Sequence, residues 1–311
     1  MRICVVITAR ASFARCASLL AALEKTPGVY PTPVLHTSAV MSQYGDVTGQ
    51  IPSLTLAHPR VIRNALAGGD NVAMVKTTGL AMLELATVFE EEQPDVVITI
   101  ADRYETLAAT AAAAYMNIPV AHLQGGERTG SIDDKVRDAN SMLSDLHFAA
   151  TRKAAKRLRE MGVRGTVHLT GCPSIDLLVD VPDEEPPLPL DTGTGAVIDL
   201  AQPSLLICQH PVTTESVQAY NQMKETILAA RETRLQAIWI HPNIDAGTDG
   251  ASKAIRQFRE EHPEAPFRFY RNLPPRLFAQ LMKRCACMVG NSSAALRDCS
   301  FLGTPAGNFG S

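Results

Sequence analysis

The sequence predicts an α/β protein of two doubly wound domains, and three observations lead there. Short β-rich runs alternate with longer stretches of helical spacing from "ICVVIT" to "TPAGNFG". Strands that read as continuous apolar runs are those buried on both faces of a parallel sheet. The alternation breaks once, at "VDVPDEEPPLPLDTGTG" (Val179–Gly195), a stretch rich in Pro, acid and Gly where no helix crosses and no strand pattern survives. A length of 311 residues exceeds one ordinary core and suits two. The expected division is 1–175, a connection over 176–196, and 197–311.

In the first domain, "ICVVIT" is a strand and "SFARCASLLAALEK" (Ser12–Lys25) a helix with apolar residues at helical spacing. "PTPVLHTS" holds the next strand. A long helix is expected near Val72–Glu92, then the strand "VVITI" (Val96–Ile100), and an alanine-rich helix (Tyr104–Met116) that can pack close to a sheet. "IPVAHL" is a strand, a helix follows Asp134, and "HFAAT" and "TVHLTG" complete the series. The second domain repeats the scheme: "SLLICQH", "QAIWIHP", "FRFYRN", "CACMVG" and "TPAGNFG" as strands, with helices near Ser216–Glu232, Ser252–His262 and Pro275–Lys283. Strand–helix repetition of this kind gives parallel strands covered by helices on both faces.

Composition narrows the function. A net charge of −3 with no basic stripe argues against a nucleic-acid surface. No run of about 20 apolar residues is evident, so no membrane span is expected. The start, "MRICVVITAR", opens a strand rather than a signal peptide, which gives a cytoplasmic expectation. Seven scattered cysteines, with one close pair at Cys285 and Cys287, read as reduced core thiols rather than a zinc site or a disulfide frame.

Ligands of open parallel sheets bind beyond the carboxyl ends of the strands. The first strand delivers Arg10 there. "VVITI" delivers Asp102, Arg103 and Glu105; "IPVAHL" delivers His122, Gln124, Glu127 and then Asp133 and Asp134. In the second domain these ends carry Gln209, His210, Thr213 and Thr214, then His241, Asn243 and Asp245, then Asn291, Ser292, Ser293 and Asp298. His36, His58, His168 and His262 have no such setting. His122 reads equally as a core or a catalytic histidine. Ser292 and Ser293 open a helix, whose free N–H groups and dipole favour an anion, and Asp298 can accept from ribose hydroxyls. These groups suit a nucleoside diphosphate. No GxGxxG follows the first strand, and "AGGDNVAMVKTTG" lacks P-loop spacing. The first-domain carboxylates suit acid–base chemistry, with Gly125 and Gly126 letting backbone come close to a ligand.

The segments "ADRYETLAATAAAAYMNIPVAHLQGGERTGSIDD", "GCPSID", "QHPVTTE", "HPNIDAG" and "GNSSAALRDCSFLGTP", in this order, resemble the hydrolysing UDP-N-acetylglucosamine 2-epimerases that supply sialic and legionaminic acid synthesis. The resemblance runs from "ITAR" to the last residue. It implies a GT-B-like fold, two Rossmann-like domains with the active site in the cleft. It also implies that Arg10, Arg103, His210, Asn243, Ser292, Ser293 and Asp298, with Asp245, hold UDP. Asp102, Glu127 and Asp133 or Asp134 then serve the sugar, with His122 nearby. The implied reaction eliminates UDP across C1–C2 to a 2-acetamidoglucal, adds water at C1 and returns a proton to C2 on the opposite face. It requires neither metal nor NAD. Its substrate partner is a small nucleotide-sugar, either UDP-GlcNAc or a UDP-2,4-diacetamido-2,4,6-trideoxyhexose. A non-catalytic nucleotide-sugar binder of this fold is the alternative. Relatives are dimers or tetramers, so a homo-oligomer is expected.

Four positions depart from the family pattern. Ser12 stands where an aspartate is common, Asp138 where a histidine is common, Asp145 where a second histidine is often found, and Gln124 where some relatives have Glu. Family members continue past "GTPAGNFGS" through a loop with a phosphate-side arginine to a helix crossing back onto the first domain. The 311 residues are expected to lack both, to bind UDP poorly and to close badly.

Overall fold

A computed structural model describes residues 1–42, 46–51, 59–66, 69–130 and 132–309. His58, Ser131 and the last two residues of "GTPAGNFGS" lie outside the described residues. The described residues form two units, one of 1–42, 46–51, 59–66 and 72–174, the other of 69–71 and 175–309.

Among the described residues, the first unit's strands are β1 (Arg2–Ile7), β2 (Tyr30–His36), β3 (Arg60–Ile62), β4 (Val96–Ile100), β5 (Val120–Leu123), β6 (Leu146–Ala149) and β7 (Thr166–Leu169). They lie in the order β3-β2-β1-β4-β5-β6-β7, every pair parallel. The order reverses at β1, so a crevice opens between the carboxyl ends of β1 and β4. β1 and β5 are buried along nearly all their length, which is why they read as unbroken apolar runs.

The second unit adds β8 (Gly193–Gly195), β9 (Ser204–Cys208), β10 (Gln236–Ile240), β11 (Phe267–Tyr270), β12 (Cys287–Gly290) and β13 (Ala306–Asn308). Their order is β13-β12-β9-β10-β11-β8. All neighbours are parallel except β8, which runs antiparallel to β11. Here the crevice lies between β9 and β12. Both units are therefore Rossmann-like, as the alternation predicts.

Several elements differ from expectation. The Ser12–Lys25 helix is two, Arg10–Ala14 and Ala17–Lys25, because Cys16 leaves helical geometry with its thiol buried under β1. The expected Ser216–Glu232 helix begins at Ala219, after a 3-10 segment Thr213–Gln218 kinked at Glu215. The helix Pro173–Val179 stops where the Pro-rich stretch begins, but the far end of that stretch forms the edge strand β8, contrary to the expectation that no strand would form there. Its anchor is Arg268, buried on β11. Its guanidinium donates to the carbonyls of Leu190 (2.7 Å), Gly193 (3.1 Å), Gly195 (3.3 Å) and Ala196 (3.1 Å), and Nε to the Tyr270 hydroxyl at 2.9 Å. Irregular backbone otherwise lacking partners is satisfied by one side chain.

The helix Asn71–Glu92 is 22 residues long, and its most apolar window has a mean hydropathy of 1.5, enough by length and composition to cross a membrane. That corrects the expectation that the sequence holds no such span. The helix is the crossover between β3 and β4, and Ala81, Leu85, Val88 and Phe89 pack with Val6, Val34, Ile62 and Val97 of the sheet. All seven cysteines are free thiols. Burial pushes Cys4 up to about 12 and Cys299 up to about 11, as inert core positions require.

Replacing Arg268 with Met leaves four carbonyls short of a donor. It is expected to cost about 3 kcal/mol, read as a lower urea midpoint together with faster proteolysis of 186–196.

Candidate active site

In the first unit the turn after β4 begins with Ala101 at φ 58°, a left-handed conformation that is unfavourable for a residue with a Cβ. Its carbonyl accepts from His122 Nε2 at 2.9 Å, and His122 Nδ1 meets the Ser141 hydroxyl at 3.0 Å. His122 is fully buried on β5. Burial pushes it down to about 4, only partly offset by its bond to Ala101. With both ring nitrogens bonded inside the fold, it fixes the strand end that carries Asp102. Of the two readings left open for His122, core or catalytic, this arrangement matches the core histidine.

Asp102 follows, half-buried, and receives the guanidinium of Arg137 on its Oδ2. Arg15 lies 3.8 Å from Oδ1. Arg137 is 1% exposed and also donates through Nη1 to Asp134 Oδ1 at 2.7 Å and to the Glu127 carbonyl at 2.9 Å. Burial alone would lower its pKa; the carboxylates of Asp102 and Asp134 reverse this and raise it. Asp134 in turn accepts from the backbone N–H groups of Thr129 (2.7 Å) and Gly130 (3.0 Å). Burial would raise this carboxyl, but those two donors, the Thr129 hydroxyl and Arg137 together hold it below the usual range. Asp134 thus anchors the 127–130 loop as an ionised carboxylate. Asp133 precedes it in the first turn of the helix Ile132–Met142, half-buried, and Glu127 is half-buried on the loop itself.

Arg10 opens the helix after β1. Arg103 turns its fork onto the fully buried Glu105, at 3.0 and 3.1 Å. The buried Ser38, in the short helix Thr37–Val40 after β2, donates to the Thr8 carbonyl, and Thr8 and Ser12 share a hydroxyl contact of 2.8 Å, so Ser12 is a buried part of the β1 turn. His36, read as having no strand-end setting, ends β2 fully buried against Asn64 at 3.1 Å. Burial, then the charge of Arg103, pushes it down to about 3.

Gly125 and Gly126 are also required by the packing of their own domain. A Cβ on Gly125 would meet the Ser141 hydroxyl at 2.7 Å and His122 at 3.0 Å. One on Gly126, at φ 78°, would meet the Ala154 carbonyl at 2.4 Å. Both are bare because the loop folds back against its own domain, onto the helices Ile132–Met142 and Arg152–Glu160. Of the departures, Asp138 forms a two-bond pair with Arg157 of the latter helix, 2.6 Å on each arm. Asp145 accepts from the Val120 N–H at 3.0 Å and fixes the start of β5.

In the second unit, β12 ends at Gly290, φ 141°, where a Cβ would sit 2.1 Å from the Cys208 carbonyl. That close approach lets Asn291 clasp His210 across the crevice. Asn291 Oδ1 accepts from the His210 N–H at 2.7 Å, and its amide donates to the His210 carbonyl at 2.8 Å. The Asn243 N–H points at His210 Nδ1, 3.3 Å away. Thr248 accepts from the Asp245 N–H at 3.0 Å and donates to the Asn243 carbonyl at 2.5 Å, so Asn243 and Asp245 sit on one closed turn. Ser292 caps the helix Ser293–Leu302, its hydroxyl accepting from the Ala294 N–H at 3.4 Å. Ser293 is the first helical residue, and Asp298 is half-buried in the second turn. Among the described residues no group of three or more His, Cys, Asp or Glu side chains is placed to hold a metal ion.

The sequence reading missed Arg137, Arg15 and the role of Asn291. The signal for Arg137 was available: three residues after Asp134, it occupies the same helix face.

Residues 21–309 match the family model described as UDP-N-acetylglucosamine 2-epimerase. The UDP-N,N'-diacetylbacillosamine 2-epimerase (hydrolyzing) of Legionella pneumophila is 33% identical over 89% of this chain and 71% of its own. The UDP-N-acetylglucosamine 2-epimerase of Neisseria meningitidis serogroup B is 28% identical over 98% of this chain and 78% of its own. A crystal structure of UDP-GlcNAc 2-epimerase from Neisseria meningitidis, bound to UDP-GlcNAc, superposes with a TM-score of 0.74 at 18% identity, covering 98% of this chain and 82% of that one. That likeness shows the shared fold.

Two predictions follow from the loop and the buried histidines. Gly126→Ala forces a Cβ into the Ala154 carbonyl at a left-handed position, and is expected to cost 2 kcal/mol or more, roughly, seen as a lowered melting temperature. The folded chain keeps His36 and His122 neutral down to about 3 and 4, against 6.5 ordinarily. Below pH 6.5 the unfolded chain therefore holds more protons, so stability falls as pH drops from 6.5 toward 4. Urea melts across this window should show the fall, and His122→Asn should flatten it.

Proposed function

The chain belongs to the UDP-N-acetylglucosamine 2-epimerase family, and on that premise we propose that it converts UDP-GlcNAc and water to N-acetylmannosamine and UDP. A first-domain carboxylate removes the C2 hydrogen while UDP departs from C1, giving a 2-acetamidoglucal. Water adds at C1, and a second carboxyl group returns a proton to C2 on the opposite face. Net, one water is consumed and the leaving oxygen stays with UDP. The observation that carries this reading is the common fastening of the β4 and β5 ends: one guanidinium holds the Asp102 carboxylate and the Glu127 backbone together. Acid–base catalysis needs such groups placed in advance.

Asp102, Glu127 and Asp133 are the acid–base residues of this scheme. Asp134 is assigned to the loop instead, because its oxygens are taken by Thr129, Gly130 and Arg137. In the second domain, His210, Asn243, Asp245 and the helix start at Ser292–Ser293 serve the diphosphate, with Asp298 toward the ribose. N–H donors at a helix start stabilise the charge that develops on a departing phosphate. Arg10, at the start of the helix after β1, is the first-domain cation that the family resemblance assigns to UDP. Arg103 holds Glu105 through Nε and Nη2.

A second substrate has support of its own. The relative from Legionella pneumophila is named for UDP-N,N'-diacetylbacillosamine, the diacetamido-trideoxy sugar that differs from GlcNAc at C4 and C6. The chemistry at C1 and C2 is unchanged.

An NMR time course in heavy water tests both. Expected are UDP and a 2-epimerised free sugar carrying deuterium at C2, from whichever of the two UDP-sugars is the substrate. Unlabelled sugar rejects the mechanism, and no UDP release from either substrate leaves the binder reading. Glu127→Gln is expected to lower kcat by about 10²-fold or more while UDP binding persists.

A further inference from the structure

The geometry assigns Arg137 as the positioning residue that sets the Asp102 carboxylate for proton transfer and locks it to the loop bearing Glu127. This inference rests on the epimerase reading and adds a residue to it. A guanidinium offers its donors in one plane, and Arg137 spends them on three different chain segments. Nη2 takes Asp102 on the turn after β4, while Nη1 is shared by Asp134 Oδ1 at 2.7 Å and the Glu127 carbonyl at 2.9 Å. Arg137 is 1% exposed, so its side chain has no room to swing away. Asp102 is half-buried, so the carboxylate it holds is not sealed from solvent. A buried cation gripping the inner side of a partly open carboxylate leaves that carboxylate one orientation.

The electrostatic setting of Asp102 is also mixed. Its own turn also carries Arg103, paired with Glu105. Arg15 approaches from the end of the first helix, 3.8 Å away. The helix Ile132–Met142 contributes Arg137 with Asp133 and Asp134, the loop contributes Glu127, and β5 contributes the buried, neutral His122. Among these, Arg137 is a cation in direct contact with the carboxylate. Its loss removes a charge-assisted contact that favours the ionised form. A lysine in its place keeps the charge but offers no fork to bridge the segments.

The test compares kcat, KM and the pH dependence of kcat for the parent, Arg137→Lys and Arg137→Ala, with UDP-GlcNAc and UDP-N,N'-diacetylbacillosamine as substrates. Circular dichroism checks folding. Arg137→Lys is expected to lower kcat about 10²-fold with KM within about twofold of the parent. Arg137→Ala is expected to move the acid limb of kcat to higher pH and to regain activity with added guanidinium chloride at millimolar levels. If the alanine variant does not fold, Asp134→Asn takes its place. It removes the charge that anchors the 127–130 loop and pairs with Nη1, while leaving Nη2 on Asp102, and should lower kcat less than Arg137→Lys with the acid limb unmoved. A parent that turns over while Arg137→Lys matches its kcat overturns the assignment and leaves the epimerase reading standing. So does an alanine variant with an unmoved acid limb and no rescue. A parent that exchanges no C2 hydrogen with either substrate overturns the reading, and the assignment falls with it.

Discussion

Burying a guanidinium is unfavourable unless carboxylates and carbonyls replace the water it gives up, and the first domain is organised around one that is buried. Arg137 draws together the end of β4, the loop after β5 and the helix that follows it. Those segments are otherwise held in conformations that do not sustain themselves. Ala101 and Gln124, at the ends of β4 and β5, sit at φ 58° and 60°, where each residue with a Cβ is disfavoured by about 1–2 kcal/mol. The strain persists because neighbours over-determine it: His122 holds the Ala101 carbonyl, and Gln124 donates its N–H to the Phe148 carbonyl. Strain kept at the rim of a sheet, next to carboxylates, is where pre-organised chemistry is commonly found.

The second domain meets the same topological problem without charge. Its crevice lies between β9 and β12, and there a neutral amide, Asn291, joins the two strand ends through the backbone of His210. Gly290 makes this possible, since any Cβ would collide with the Cys208 carbonyl. The difference between the domains is chemically sensible. A rim rich in carboxylates suits proton transfer and would repel a diphosphate. A rim of amides, hydroxyls and helix N–H groups suits an anion and would transfer protons poorly.

The strands were legible because buried parallel strands are simply apolar runs, so β1, β4, β9 and β10 could be placed from the sequence almost to the residue. The long crossover helix was legible from its spacing. The break at Arg15–Cys16 was not, since apolar periodicity runs straight through it and only the burial of Cys16 beneath β1 selects the kink. β8 was invisible for a related reason: "GTG" carries no β-propensity, and it becomes a strand through its pairing with β11 and the cage of Arg268. In the site, the polar residues at strand ends were legible from topology, and their partners were not. Whether a glycine faces a ligand or its own domain depends on the packing of Ser141 and Ala154 against it, which no local pattern encodes.

Asp138 shows how a departure can be absorbed. It follows Arg137 directly and lies one turn after Asp134, so it adds a third acid to the helix that carries Asp133 and Asp134. Like charges spaced i,i+4 destabilise a helix by about 0.2–0.5 kcal/mol, and a nearby unpaired acid would also compete for the buried guanidinium. Arg157 removes both difficulties. Its two arms, each 2.6 Å long, hold the Asp138 carboxylate against the helix Arg152–Glu160. The acid is thereby neutralised from the side away from Arg137, whose fork remains committed to Asp102 and Asp134. A histidine at this position would present no comparable negative charge to offset. The aspartate and its arginine are therefore best understood as a coupled pair, in which the second residue keeps the first from disturbing the site.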